Sequence, residues 1–190
     1  MNDSVRRALR VGAVVIACVV TACSPSAGRR EPPAKPVEPA AVDVNSYIAK
    51  GNYAAALDIL SARYDKDRGN AEARDAFSRT LQEVRSKGDD AFARGQYEKA
   101  GVTYRLLLKH LSGDNGIARN LPFSSGYLSG RIEKCAKTLT DSGLARYGAG
   151  DLENAIRIWN SVLAFDPDNV DVKRAVETAT VQLKTLKGAP

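Results

Sequence analysis

The stretch that decides the architecture runs from Ala136 to Asn169, AKTLTDSGLARYGAGDLENAIRIWNSVLAFDPDN. In its second half Leu152, Ala155, Trp159 and Val162 are spaced three, four and three, which sets them on one face of a helix. Gly150 stands just before that stripe, where one helix ends and the chain reverses, a place for a left-handed residue. Asp151 then supplies a natural N-cap, and Pro167 is expected to stop the second helix. The residues read as helix, glycine turn, helix.

The same pattern occurs twice upstream without gaps. Gly51-Asn52-Tyr53 with Ala56 and Leu60, and Gly95-Gln96-Tyr97 with Ala100 and Tyr104, match Gly150-Asp151-Leu152 with Ala155 and Trp159. Gly88 and Gly143 stand seven residues before two of the turns, with Val44 at the same place in the first copy. The small Ala56, Ala100 and Ala155 let paired helices approach, and Leu60, Tyr104 and Trp159 fill the space beside them. Two inserts separate the copies, 71 to 80 and 115 to 135. Ala73, Phe77, Leu81, Val84 and Gly88 keep one face, so the first insert extends the helix that follows it. Leu128, Ile132, Cys135 and Leu139 are helical in spacing as well, which leaves only 113 to 126 as loop. Val172, Val176, Ala179, Leu183 and Leu186 mark a last amphipathic helix, the expected cap of a stack.

These residues resemble the tetratricopeptide repeat, a helix-turn-helix unit of roughly 34 residues. The copy from 136 to 169 is the most typical, that from 81 to 114 has Ser112 where a proline belongs, and the first is degenerate. The fold expected is all-α, a helical-repeat solenoid of about three such pairs plus a C-terminal capping helix, over residues 42–190. The resemblance implies peptide binding along a concave face made by the first helix of each unit. Those positions are Gln82, Arg85, Asp89 and Phe92 in copy two, and Lys137, Thr140, Leu144 and Tyr147 in copy three. Some relatives clamp a terminal carboxylate with paired Lys or Arg and Asn. Arg85 and Lys137 supply charge here, but Asp89 and Leu144 stand where Asn would be.

The start of the chain reads as an address. Arg6, Arg7 and Arg10 precede the apolar run Val11 to Val20, and Thr21-Ala22-Cys23 follows, the layout of a secretory signal over residues 1–22. Ten residues rise only about 15 Å as a helix, roughly half of a bilayer core. Val20-Thr21-Ala22-Cys23 resembles the lipobox of bacterial lipoproteins, which implies cleavage before Cys23 and acyl chains on that residue. Val15-Ile16-Ala17-Cys18 fits the same pattern, but cleavage there leaves too short a core and sets Val19 and Val20 at the mature start. Ser24, rather than Asp, after the lipidated Cys implies the outer membrane by resemblance to enterobacterial sorting. Residues 23–41 hold five of the eight prolines and read as an extended, lipidated tether. At about 3.1 Å per residue, its eighteen residues after Cys23 would hold the domain up to roughly 55 Å from the bilayer.

Charge and chemistry narrow the function. All 190 residues carry 28 Lys and Arg against 22 Asp and Glu, and loss of residues 1–22 leaves 25 against 21, or +4. Nucleic acid would demand a denser basic stripe. The single His110 cannot build a two-His metal or catalytic site; near a helix end, it is expected to face terminal carbonyls. Cys135 falls on an apolar stripe and reads as a small core residue. Asp89-Asp90 and Asp166 with Asp168 are carboxylate pairs that capping or solvation explains. No phosphate loop, metal-spaced cluster or nucleophile motif occurs, so neither an enzyme nor a cofactor is expected. The expected function is a lipid-anchored scaffold or assembly factor of the cell envelope, facing the periplasm and binding a protein or peptide. The alternative is a structural subunit held permanently in a larger envelope complex.

Overall fold

A computed structural model describes residues 43–112 and 116–188. The signal, Cys18, Cys23 and the tether lie outside them, as do the first residues of the 113–126 loop. Among these residues seven α-helices follow one another: α1 (Val44–Ala49), α2 (Tyr53–Lys66), α3 (Ala71–Ala93), α4 (Tyr97–Leu111), α5 (Ser125–Gly148), α6 (Leu152–Leu163) and α7 (Val170–Gly188). A 3-10 turn, Ile117–Asn120, lies between α4 and α5, and no strand occurs among the described residues. The described residues are all-α, as their periodicity predicts.

Three turns, those after α1, α3 and α5, share one geometry. Gly51, Gly95 and Gly150 have φ of 71°, 72° and 79°. Their N–H groups donate to Ile48, Phe92 and Tyr147, and the next residues, Asn52, Gln96 and Asp151, donate to Tyr47, Ala91 and Arg146. This double closure uses carbonyls that a helix end leaves open, and the left-handed corner it needs is cheap only for glycine. The helices start on side-chain caps as well. Asn52, Asn70, Ser124 and Asp151 accept from N–H groups of α2, α3, α5 and α6, and Asn169 Oδ1 accepts from Val172 in α7.

Consecutive helices pack on one another from α1 to α7, and smaller contacts join α2 to α4, α4 to α6, and the 3-10 turn to α3. Ala56, Ala100 and Ala155 are fully buried at the pair junctions. The upstream glycines explain how large the opposing residues can be. A Cβ on Gly88 would come within 2.9 Å of the Tyr104 ring, and one on Gly143 would run into the Trp159 indole. Each aromatic therefore sits in a notch cut by a missing side chain. In the first pair the bulk is exchanged: Val44 replaces the glycine, Leu60 replaces the aromatic, and both are buried.

Both inserts lengthen helices. Residues 71–80 form the first turns of α3, and α5 begins eleven residues before Ala136. Of Leu121-Pro122-Phe123, the Phe is buried, the Leu half-buried and the Pro exposed. Two expectations need correction. The helix α6 ends at Leu163, before Pro167, because the Val162 carbonyl accepts from Phe165 and Asp166 and turns the chain there. Leu186 is 68% exposed, since the last turn of α7 runs past the start of α6, held there by Lys187 Nζ on Glu153 at 2.6 Å.

Candidate functional site

The stripe expected from α3 is gathered into a polar knot rather than left open. Asp89 Oδ2 accepts from Arg85 at 2.7 Å, and its Oδ1 accepts from the hydroxyls of Tyr104 and Tyr127, each at 2.7 Å. The three donors come from α3, α4 and α5. The Tyr127 oxygen in turn accepts from Arg131 Nε at 3.1 Å. Arg131 lies over the Phe92 ring at 4.5 Å and over its neighbour Tyr127 at 5.3 Å, and Arg85 stands 5.7 Å from the Phe123 centroid. Burial, then the hydrogen bond to Asp89, pushes the Tyr104 phenol above its ordinary range. The Tyr127 bond holds Arg131 firmly charged.

Asp89 is thus neither a cap nor a solvated carboxylate, which corrects the expectation for that pair; only Asp90 is exposed. Phe123, Tyr127 and Arg131 all come from the second insert, so that insert engages Arg85, Asp89 and Phe92 from within the chain. Gln82 stays half-buried one turn away on α3.

The stripe on α5 is more open. Lys137 is exposed and bonds only its helix neighbour Asp141, at 3.0 Å, an arrangement worth little in water. Thr140 is half-buried, with its carbonyl accepting from Trp159 Nε1 at 3.2 Å. Leu144 is 53% exposed, and Tyr147 leans on Trp159 with ring centroids 5.7 Å apart. Lys137 and Thr140 also line a groove of about 430 Å³ between α4, α5 and the start of α7, where Arg105, Asp141 and Asp171 supply charge and Leu108 and Val172 the apolar wall.

The chain matches no family model and no curated protein. The site therefore rests on its own chemistry. Among the described residues no three His, Cys, Asp or Glu side chains converge as a metal set. No helix among them is long and apolar enough to cross a membrane. Cys135 is fully buried, and burial pushes its thiol up to about 11, so at neutral pH it carries no thiolate for chemistry. His110 is buried too. Its ring stands edge-on to Phe77 at 6.0 Å, with Nε2 3.5 Å from Asp58 on α2. Burial lowers its pKa, against the pull of Asp58.

Sequence reasoning finds Arg85, Asp89 and Phe92 by their register but misses Tyr127, Arg131 and Phe123. Those three fall in the insert, outside any repeat position, and only the helical spacing from Leu128 onward hints that the segment folds back onto the pairs.

Proposed function

We propose that this chain is a lipid-anchored cell-envelope scaffold or assembly factor, built as a tetratricopeptide-like solenoid, that binds a protein or peptide on the first helices of its units. The observation that carries the reading is the repeated joint. Three glycine turns share φ near 70–80° and the same two backbone bonds, and two of the pairs seat an aromatic in a glycine notch. Stacked pairs bury a continuous core and offer an extended side surface, which suits recognition of a polypeptide better than turnover of a small molecule.

The working surface in this reading is the α5 stripe, Lys137, Thr140 and Leu144, because the insert already engages the α3 stripe. A polar surface with one exposed leucine favours a reversible partner over permanent burial in a larger complex. The lipid anchor is supported by Val20-Thr21-Ala22-Cys23 directly after the apolar run, and the outer membrane by Ser24.

Two experiments test this reading. A photo-crosslinking residue at Leu144, in cells expressing the full chain, should yield an adduct of defined mass that the same residue at exposed Arg157 does not. Absence of an adduct at every α5 position would remove the peptide-binding surface. For the anchor, one acyl chain gives only marginal binding and stable attachment takes two, so loss of the modified residue should be visible by fractionation. Cys23→Ser should leave the helical content unchanged and release the protein from membranes, or trap an uncleaved precursor, whereas Cys18→Ser should do neither. An unmodified Cys23 in the wild-type protein, or a mature start at Cys18, would overturn the anchor.

A further inference from the structure

The reverse face of α3 carries a different surface. At roughly 100° per residue, Lys87, Ala91 and Arg94 point away from the side that holds Arg85, Asp89 and Phe92. There α3, α4 and the turn into α2 enclose a groove of about 570 Å³. Its cations are Lys87 and Arg94 on α3 and Lys99 on α4, against the single acid Asp90. None of the three cations has an ion pair or side-chain hydrogen bond among the described residues, whereas Arg85, Lys109, Lys137 and Lys187 are all paired. Tyr53, Ala54, Val102 and Leu106 also line it, and Val102 is 44% exposed, one of few large apolar side chains left open among the described residues. Gln96 at the start of α4 also lines the groove and makes no side-chain cap, so the positive end of that helix adds to the field.

We propose that this groove docks an acidic, apolar-anchored peptide segment of another protein, its carboxylates meeting Lys87, Arg94 and Lys99 and an aliphatic side chain lying on Val102. The sign of the groove decides the partner. The chain's own 24–41 segment has Arg29, Arg30 and Lys35 against Glu31 and Glu38, the wrong balance to fill it. Its shape decides too: a flat anionic bilayer would leave the apolar lining of Tyr53, Ala54, Val102 and Leu106 uncovered, whereas a peptide side chain can enter the groove. Lys87 and Arg94 are seven residues apart on α3, a rise of about 10 Å, so the matching carboxylates stand two helical turns or three extended residues apart.

The test uses fluorescein-labelled peptides of sixteen residues with Leu anchors and Glu at positions i and i+7, against the full chain in detergent micelles, read by anisotropy. Binding is expected, weakening as salt rises from about 0.1 to 0.5 M, and at least about tenfold weaker for the Glu→Gln peptide or for the K87E/K99E protein. Val102→Ser should weaken it with the salt dependence kept, and R105E, on the other groove, should change nothing. Three results would overturn the proposal: equal binding by K87E/K99E, no binding by any Glu peptide, or loss on K87E/K99E of either self-association in sedimentation or uptake by anionic vesicles in place of peptide binding. Circular dichroism of each variant shows that it is folded when compared.

Discussion

Asp89 ties three helices through one carboxylate, and the reason lies in what surrounds it. Two tyrosine hydroxyls and a guanidinium need an acceptor at the junction of α3, α4 and α5, and only an ionised carboxylate takes all three. Asp89→Asn keeps the shape but turns one acceptor into a donor facing Arg85. Urea unfolding should show a loss of about 1–3 kcal/mol, and a variant as stable as wild type would mean the knot is solvated in solution. His110 gives the residue scale a pH dependence. Burial lowers its folded pKa below the value near 6.5 of an unfolded chain, so the unfolded state binds the proton more readily. The stability it contributes is complete above about pH 6.5 and is lost as pH falls through the folded value. As the chain's single His, it should make the urea midpoint fall between about pH 7 and 5.5, and His110→Gln should flatten that slope. At this scale the sequence is legible only in part. Register places Asp89 on a face and Arg85 one turn before it, but its two tyrosine partners stand fifteen and thirty-eight positions away, and no local pattern connects them.

Among whole elements, legibility is far better, because helix period, caps and glycine turns are local. The three turns and the extension of α3 over 71–80 can be read directly from spacing. What escapes is the geometry between elements. Pro167 looks like a helix stop, yet the chain turns three residues earlier; Leu186 keeps the α7 stripe but outruns its support. The notches make the sharpest prediction here. In an ordinary helix interior, Gly→Ala gains up to about 1 kcal/mol, and Gly130 in α5 has open space where a Cβ would go. Gly143, thirteen residues on in the same helix, has the Trp159 indole there. Gly130→Ala should therefore raise the thermal midpoint, while Gly143→Ala should lower it by an amount equivalent to roughly 1–3 kcal/mol. Equal effects from the two would show that Trp159 does not seat on Gly143.

Across the molecule, each helix touches mainly its neighbours in sequence, which in long arrays lets separate stretches melt on their own. Here the core runs unbroken from Val44 on α1 to Ala179 on α7. Trp159 fluorescence, which reports the third pair, should therefore follow the same denaturant curve as far-UV circular dichroism, which averages over the helices. Separated midpoints would mean the pairs unfold piecemeal.

One contact gives that cooperativity a reason. A Cβ on Gly101, in α4, would meet the Phe165 ring at 2.7 Å, and Phe165 belongs to the bend between α6 and α7. The second pair thus carries a slot that is filled from beyond the third. Repeat arrays are usually treated as beads that can be shuffled, duplicated or trimmed at will. This chain is keyed instead: cut it after the second pair and the slot stands empty, or insert an extra unit between the two and the key no longer reaches its lock.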